Sequence, residues 1–488
     1  MDVRNCMPRL KILSDGEISD VHSASLEVLR RVGCRIEDRE FLDLLASAGA
    51  EVDVKSKTAK VPESVVEECL KKTEKTCRLY GRNPKFDVTL TGNRILGHQC
   101  EGGTYTIDLE TGIRRLSALN DVTIFARLAQ SLENVNVALC PVVPQDALIE
   151  TRGIDVARAW LENTSKPCSI GGLVKGVEPY VHKMAEIAAG GPDEYQKRPI
   201  MEDVDIGPVS PLQFPSRDLK VFREMAKEAM VASVGSMPQS AGTAPITLAG
   251  TLVVQIAELL MSIILGQVVN PGMAMYVYIR AGIMDPRSGT FSSGAPEFGL
   301  VETAAAQICM DKYGLYVDSG WGASDSKLMD EQVGYEKAFT WLQSGLAGVS
   351  MVSGMGAIET GLTQSPAQLV IDDEIVAMVS RIVRGIRVDA ESLAVDVIEQ
   401  AGIGGNFIGT KHTLSHLTDE LYLTKTSDRN TRHTWEKGGR KDLIERSRER
   451  AKELLKSNDI EPLPPHVKKA LDEMVSTAKK EIYAARQA

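Results

Sequence analysis

Aromatic side chains are scarce in this chain, yet three of them lie in or beside short apolar segments. Phenylalanine, tryptophan and tyrosine together make up 5% of the 488 residues. Tyr276 and Tyr278 would share one side of an extended strand, because successive side chains alternate, and Trp321 follows another apolar segment. Ring faces attract a methylated ammonium ion, which offers no N–H for hydrogen bonding. We therefore predict that these rings bind a methylated cation, with packing in the interior as the alternative.

Three charged residues suit the same ligand. Glu101 and Asp325 are the candidate carboxylates, and each has helix capping as an alternative role. Arg280 is a candidate clamp for a carboxylate on the substrate, since a guanidinium donates two parallel hydrogen bonds. Its alternative is a salt bridge between helices. The predicted substrate-binding set is Glu101, Tyr276, Tyr278, Arg280, Trp321 and Asp325.

Motifs of several other chemistries are missing from the sequence. It has no phosphate-binding Gly-x-x-x-x-Gly-Lys-Ser/Thr loop and no Gly-x-Ser-x-Gly nucleophile turn. The eight cysteines are scattered without a Cys-x-x-Cys pair, and His412 and His416 have no His-Glu-x-x-His context. We predict neither a bound metal nor a covalent catalytic residue.

A regular alternation of short apolar segments and amphipathic segments positions the candidate residues. It predicts an α/β fold, because strands that alternate with helices form a parallel sheet. Eight such units predict closure into a (β/α)8 TIM barrel, whose active site lies at the carboxyl ends of the strands. An open doubly wound sheet is the alternative, but its Gly-x-Gly-x-x-Gly turn is not found. The predicted strands are 94–98, 137–143, 167–171, 203–208, 230–236, 273–278, 315–318 and 348–353; the predicted helices are 119–132, 152–161, 181–189, 217–228, 252–268, 298–311, 332–346 and 366–383.

The barrel is predicted to lie between two extensions. Residues 1–93 form a mostly helical N-terminal extension, 94–388 the barrel, and 389–488 a C-terminal loop and helical region. The last helix, 466–485, carries a regular apolar stripe. Such a stripe has to pack against another apolar surface, which either the barrel wall or another subunit would provide.

The composition of the chain limits which classes of macromolecule it can bind. The chain carries a net charge of −10, whereas proteins that bind nucleic acid are usually basic. No apolar run follows the first residues, so a signal peptide is not expected. The apolar stretch 248–269 is interrupted by Gln255, Glu258 and Gln267, which favours a buried helix over a membrane span. We expect a cytoplasmic protein that binds neither membrane nor nucleic acid.

Several segments together resemble the trimethylamine methyltransferase superfamily, and the resemblance covers most of the chain, from about residue 10 to 445. The segments are EGGTYTID (101–108), PVSPL (208–212), AGTAPITLAGT (241–251), GAPE (294–297), SDSK (324–327), QVGYE (332–336), DDE (372–374), GGNF (404–407) and HTL (412–414). The resemblance implies a (β/α)8 barrel. It also implies transfer of a methyl group from a methylamine to Co(I) of a corrinoid on a separate protein, with no corrinoid bound by this chain.

The resemblance also bears on the substrate. Archaeal trimethylamine members use pyrrolysine in the active site, whereas ordinary amino acids fill this sequence, including residues 321–335. Members without pyrrolysine are similar to enzymes that demethylate quaternary amines such as glycine betaine, proline betaine or carnitine. We therefore expect a quaternary amine methyltransferase of the glycine betaine type that forms a homo-oligomer. The alternatives are a tertiary methylamine methyltransferase and a non-catalytic subunit that binds quaternary ammonium.

The chemistry agrees with a quaternary substrate. Co(I) attacks the methyl carbon in line, and the leaving group is a neutral tertiary amine, so no general acid is required. The enzyme has to desolvate and orient the cation. Because the positive charge disappears in the transition state, a strong carboxylate contact would stabilise the ground state too much. We therefore expect a site of aromatic faces with one carboxylate whose attraction for the cation is weakened.

Overall fold

The computed structural model describes residues 9–92, 94–170, 176–201, 204–457 and 460–487, with the side chains of 485–487 set aside. Gly171 and Asp203, at the edges of two predicted strands, lie outside the described residues.

Eight parallel strands form one curled sheet whose order shows a barrel. In sheet order the strands run β3, β2, β1, β8, β7, β6, β5, β4. The eighth strand pairs with the first, Met351 opposite Leu96, as in a barrel and unlike a doubly wound sheet, where the order reverses. β3 and β4 are the two ends of the described order. The strands are β1 (Leu96–Gln99), β2 (Val135–Leu139), β3 (Cys168–Ser169), β4 (Asp205–Ile206), β5 (Val231–Ser236), β6 (Ala274–Ile279), β7 (Val317–Trp321) and β8 (Met351–Met355).

A helix follows each strand and covers the outside of the sheet, as the sequence predicts. The barrel helices are α1 (Leu119–Ser131), α2 (Arg152–Asn163), α3 (Glu178–Ala189), α4 (Ser216–Ala226), α5 (Leu248–Val269), α6 (Pro296–Asp311), α7 (Glu331–Ala347) and α8 (Pro366–Val383), with a short additional helix at Pro192–Lys197. Boundaries shift by a few residues. β2 ends at Leu139 instead of reaching 143, since Pro141 has no N–H to donate to a sheet.

The N-terminal extension contains more strand than the sequence predicts. Its helices are Asp15–Arg31, Arg39–Ser47 and Glu63–Lys72. Strands Cys34–Ile36, Glu51–Asp53 and Thr58–Lys60 form a small sheet with Gln213–Phe214, and Arg78–Leu79 pairs with Val88–Thr89 beside a 3₁₀ turn at Pro84–Phe86. These strands have only two or three residues, which is too short for a visible period-2 pattern.

Part of this extension closes the amino-terminal end of the barrel. Cys77 and Leu90, both fully buried, pack with Leu96, Val231 and Ala274 at the beginnings of three barrel strands. Short paired strands stand at the opposite end, after the barrel strands. They are Tyr105–Ile107, Arg114–Leu116, Gln239–Ser240, Gly282–Asp285, Thr290–Ser292, Ala357–Ile358 and Thr363–Gln364. The open end of the barrel is therefore its carboxyl end.

The C-terminal region is helical, as expected. Its helices are Ala390–Leu393, Val395–Ala401, Lys411–Glu420, Arg432–Lys437, Leu443–Lys456 and Pro465–Gln487. Leu471 and Ala478 of the last helix are fully buried. Arg158 of α2 binds Asp472 at 2.7 Å, and Tyr180 of α3 donates to Glu481 at 2.6 Å. The barrel wall therefore covers this apolar stripe, one of the two covers the sequence allowed.

Within the described ranges, one helix is long and apolar enough to span a membrane by length and composition alone, and that helix is α5. Its most apolar window is 72% buried inside the protein. α5 is thus a core helix of the barrel, and the interrupting Gln255, Glu258 and Gln267 are buried with it.

Candidate functional site

A cavity of about 400 Å³ opens inside the carboxyl end of the barrel. This volume lies in the range of small-molecule sites. Five of the six predicted residues line this cavity, and Asp325 does not. Other side chains of its wall include Tyr80, His98, Gln99, Met237, Asp318 and Ser353.

Strand alternation places two rings in this cavity. Tyr276 and Tyr278 of β6 both line it and are partly exposed, while the alternate residues Met275, Val277 and Ile279 are buried. Two glycines, Gly235 on the neighbouring β5 and Gly207 just after β4, leave room for the Tyr278 ring. A Cβ at Gly235 would lie 2.2 Å from a ring carbon, and one at Gly207 would lie 2.3 Å from the hydroxyl. Any larger residue at either position would displace the ring.

Trp321 lines another part of the cavity, at the end of β7. Its ring centroid lies 5.8 Å from that of Phe291, on a short strand that follows β6. Gly361 approaches from the other side, and a Cβ there would lie 3.0 Å from the indole. The indole is held between two loops of the mouth, with one part facing the cavity.

An ion network forms the polar wall of the cavity. Asp318 Oδ2 is 2.6 Å from Arg280 Nη2 and 3.0 Å from His98 Nε2. Arg280 Nη1 donates to the carbonyls of Ile279 and Asp318. Arg280 thus forms a salt bridge, as its alternative role required, but the bridge lies inside the barrel and not between helices. The described contacts use three of the five guanidinium donors, leaving Nε–H and one Nη2 hydrogen for a ligand.

The electrostatics of this wall follow from burial and pairing. Burial alone would raise the pKa of Asp318, but Arg280 and His98 more than offset it, so the pKa lies below its ordinary value. Burial raises the pKa of Glu302, behind β7, to about 8. Glu302 Oε2 accepts from the Ser319 hydroxyl at 2.9 Å and from the Gly320 N–H. Asp318 is therefore a charged carboxylate moderated by its partners, and Glu302 is mostly neutral at pH 7.

Several buried polar atoms beside the cavity have no hydrogen-bond partner among the described residues. They include both amide atoms of Gln99, Asp318 Oδ1 and Ser353 Oγ. Gln99 is 0% exposed. Buried polar groups are normally paired, and all three residues line the cavity. Among the described residues, these atoms are therefore unpaired polar groups within the wall, buried from solvent.

The two carboxylates predicted from the sequence differ in their relation to the cavity. Glu101 is exposed on the rim of the cavity and accepts from the Ser169 hydroxyl at 2.9 Å. Asp325 does not line the cavity. It accepts from Ser293 N at 2.9 Å, Gly294 N at 3.1 Å and the Thr360 hydroxyl at 3.0 Å. The structure brings the rings, Arg280 and Glu101 to one cavity, and it uses Asp325 to join loops of the mouth.

Buried carboxylates on the outer helices hold the mouth loops in the same way. Glu258 of α5 accepts from Ser210, Leu212 and Ser236. Glu336 of α7 accepts from Ser324 at 2.6 Å and from Asp325 N at 2.8 Å. The segments 208–212, 324–327 and 332–336 that carried the family resemblance thus include the partners that position the site.

Metal binding has little support in this geometry. In the ranges that the structure describes, no three His, Cys, Asp or Glu side chains are grouped to hold a metal ion. His412 and His416 stack on each other with ring centroids 4.2 Å apart on an exposed helix. Absence of a bound metal stays a prediction.

The polar wall residues that the sequence did not single out include His98, Gln99, Asp318 and Ser353. Each lies at or near a predicted strand end, so position was their only signal. Tyr80 had none, because it belongs to the N-terminal extension and reaches the cavity only through the packing of that extension.

Fold and site together define a barrel protein with a ring-lined binding cavity at the carboxyl ends of its strands. A family model described as trimethylamine methyltransferase (MTTB) matches residues 1–483. The chain belongs to this family and is a methyltransferase.

Individual relatives span nearly the whole chain. A trimethylamine methyltransferase MttB of Desulfitobacterium hafniense (strain DSM 10664 / DCB-2) is 35% identical over 97% of this chain and 95% of its own. One of Methanosarcina barkeri (strain Fusaro / DSM 804) is 30% identical, covering 96% of each chain. A glycine betaine methyltransferase of Desulfitobacterium hafniense (strain Y51) is 30% identical over 98% of each chain.

A solved structure of the Methanosarcina barkeri monomethylamine methyltransferase (MtmB) aligns with a TM-score of 0.49 at 11% identity. It covers 90% of this chain and 94% of that chain.

Proposed function

We propose that this protein transfers a methyl group from a quaternary amine of the betaine type to Co(I) of a corrinoid carried by a partner protein. The observation that carries the proposal is the cavity itself. It joins three predicted rings to a carboxylate–guanidinium pair at the end of the barrel where (β/α)8 enzymes place their chemistry.

The reaction needs little from the protein beyond binding. The cobalt supplies the electron pair of the new Co–C bond, and the C–N bond pair stays on nitrogen as the lone pair of a neutral tertiary amine. The substrate is the cation and the corrinoid is the second substrate. Tyr276, Tyr278 and Trp321 would hold the ammonium with one methyl carbon directed to the open mouth, excluding water from the approach.

The ion network favours a zwitterion. Asp318 and Arg280 offset each other's charge, whereas the carboxylates of Glu101 and Asp205, which also line the cavity, favour a cation there. A betaine brings both charges. Its ammonium would lie beside the rings near the Asp318 carboxylate, and its carboxylate would accept from the remaining Arg280 donors.

Relatives support the reaction class and two substrate classes. The 35% identical relative is named a trimethylamine methyltransferase, which favours a tertiary amine as the second candidate. The relative named glycine betaine methyltransferase, at 30% identity, supports the first. Absence of pyrrolysine from this sequence also supports the first, since whatever that residue does for trimethylamine has no counterpart here.

A substrate panel tests the proposal. The protein is mixed with a Co(I) corrinoid protein and with glycine betaine, proline betaine, carnitine, choline or trimethylamine, and methyl–cobalt formation is followed by its visible spectrum. We expect the carboxylated quaternary amines to react fastest, choline more slowly and trimethylamine least. Reaction from trimethylamine with none from any quaternary amine would establish the second candidate instead. Binding of quaternary amines without methyl transfer to any corrinoid protein tested would favour a non-catalytic subunit.

A further inference from the structure

A long segment after α8 is folded into helices yet has no core of its own. No residue from 384 to 425, all of them described, is buried. Its three helices, Ala390–Leu393, Val395–Ala401 and Lys411–Glu420, contain no buried residue. We call residues 384–425 the arm. A segment of this length without buried side chains gains little from its own packing, because helix stability in proteins comes mainly from burial of an apolar face.

The surface of the arm is apolar. Twelve large apolar side chains in it are exposed, among them Ile386, Ile403, Ile408 and Leu414, at 80%, 110%, 89% and 68%. Soluble monomers rarely expose contiguous apolar patches of more than a few hundred Å². Stable interfaces bury about 800 Å² per partner through about 20–30 residues on each side. The arm is of the size and chemistry of one side of such an interface.

The base of the arm lies at the closed end of the barrel. Arg381 Nε of α8 donates to the Glu420 carbonyl at 2.8 Å, and Arg384 donates to that of Asp419. Val383, the last residue of α8, packs near Ile95, which precedes β1. A Cβ at Gly345 would lie 3.1 Å and 2.7 Å from their respective methyl groups. A protein that receives a methyl group has to face the open end, so the arm is poorly placed to bind it.

The same chain carries an apolar surface that matches the arm. Leu300 of α6 and Tyr335 and Phe339 of α7 are 40%, 52% and 62% exposed on the barrel wall. The two rings lie 6.4 Å apart. α7 packs directly against α8, from which the arm leaves. A two-fold axis beside these helices would let each arm reach the wall of the other chain, because such an interface uses both surfaces twice.

We infer that the arm docks on the α6–α7 wall of a second copy of this chain, making the protein a homodimer by reciprocal arm exchange. The exposed aliphatic side chains of the arm are typical of a permanent interface between subunits. A partner that leaves after each turnover would expose the arm to water in every cycle.

Oligomeric mass provides the first test. Light scattering on the full chain should give twice 53.1 kDa. The double variant Ile403→Asp/Ile408→Asp should give 53.1 kDa with unchanged helix content by circular dichroism. The matched control Ile113→Asp alters a 65% exposed isoleucine on a loop of the mouth and should keep the wild-type mass. A monomeric wild type, or an arm variant with the wild-type mass, overturns the inference.

Photo-cross-linking identifies the surface on which the arm docks. A benzophenone amino acid replaces Ile403 in a mixture of isotopically light and heavy full-length chains, with a corrinoid protein present. We expect cross-links between light and heavy chains that end in Pro296–Asp311 or Glu331–Ala347. Cross-links confined to one chain, to another surface, or to the corrinoid protein overturn the assignment.

Discussion

Asp318 combines two roles that are usually separate, since it stabilises a buried arginine and also keeps one oxygen without a described partner in the cavity wall. Its Oδ2 is occupied by Arg280 and His98, whereas Oδ1 has no hydrogen-bond partner among the described residues. A carboxylate shared in this way attracts a cation less than a free one does. This moderation suits a reaction in which the positive charge of the substrate disappears.

A pair of substitutions separates the two roles of Asp318. Asp318→Asn leaves Arg280 buried without its counter-ion and should lower the free energy of unfolding by about 3–5 kcal/mol. Asp318→Asn/Arg280→Met removes both charges and should recover most of that stability. Affinity for glycine betaine, measured by calorimetry, should stay at least about tenfold weaker in both variants, which corresponds to about 1.4 kcal/mol. Wild-type affinity in the double variant would show that neither side chain contacts the ligand.

Trp321 tests the role of the rings. Trp321→Ala should weaken binding of a quaternary amine by about 0.5–2 kcal/mol, the range of a cation–ring contact. Trp321→Phe keeps a ring and should retain most of the affinity. Calorimetry on both variants, with thermal unfolding as a check of the fold, measures the effect. Unchanged affinity in the alanine variant would remove Trp321 from the site.

At the scale of elements, the outer helices act on the site through buried side chains. Glu258, Glu302, Glu336 and Asp372 lie on the last four barrel helices, and each accepts hydrogen bonds from backbone or hydroxyl groups at the strand ends. Loops held in this manner by a rigid scaffold can keep small ligands oriented. Asp372 also binds Lys337 at 2.7 Å, with both side chains fully buried.

The last helix contributes to stability and not to the site. Leu471 is fully buried where Pro465–Gln487 packs on α2 and α3. Leu471→Ala should lower the free energy of unfolding by about 2–5 kcal/mol, measured in urea, with unchanged amine affinity. Glu473→Ala, in the same helix and largely exposed, is the control and should change stability little. A negligible loss in Leu471→Ala would mean that this helix is not docked in solution.

At the scale of the whole molecule, Glu302 couples stability to pH. Its pKa rises from an ordinary 4.5 to about 8 on folding, so between these values the folded chain keeps a proton that the unfolded chain has lost. Stability should therefore fall as pH rises from about 4.5 to about 8, by up to about 1.4 kcal/mol per pH unit. Glu302→Gln should remove this contribution. Urea unfolding of both proteins at pH 6 and pH 8.5 measures the difference, and equal pH slopes would contradict the assignment.

Periodicity in the sequence determined the barrel and much of its detail. All eight strands and eight helices were expected within a few residues, because each buries an apolar face whose spacing is visible in the chain. Alternation along one strand also placed Tyr276 and Tyr278 on the same side. The small strands of the N-terminal extension were not expected, since two or three residues carry no readable period.

Only the tertiary structure decided which charged residues meet. Asp318 ends a predicted strand and Asp325 follows the same strand, yet Asp325 joins mouth loops and Asp318 pairs with Arg280 in the cavity. Local pattern has no information on this choice, because it depends on side-chain direction and on partners 30 or more positions away. The position of Tyr80 in the cavity and the exposure of the arm also depend on the tertiary structure. Tyr80 reaches the cavity through contacts that are distant in sequence, and whether the apolar side chains of the arm are covered is decided only when the whole chain is folded.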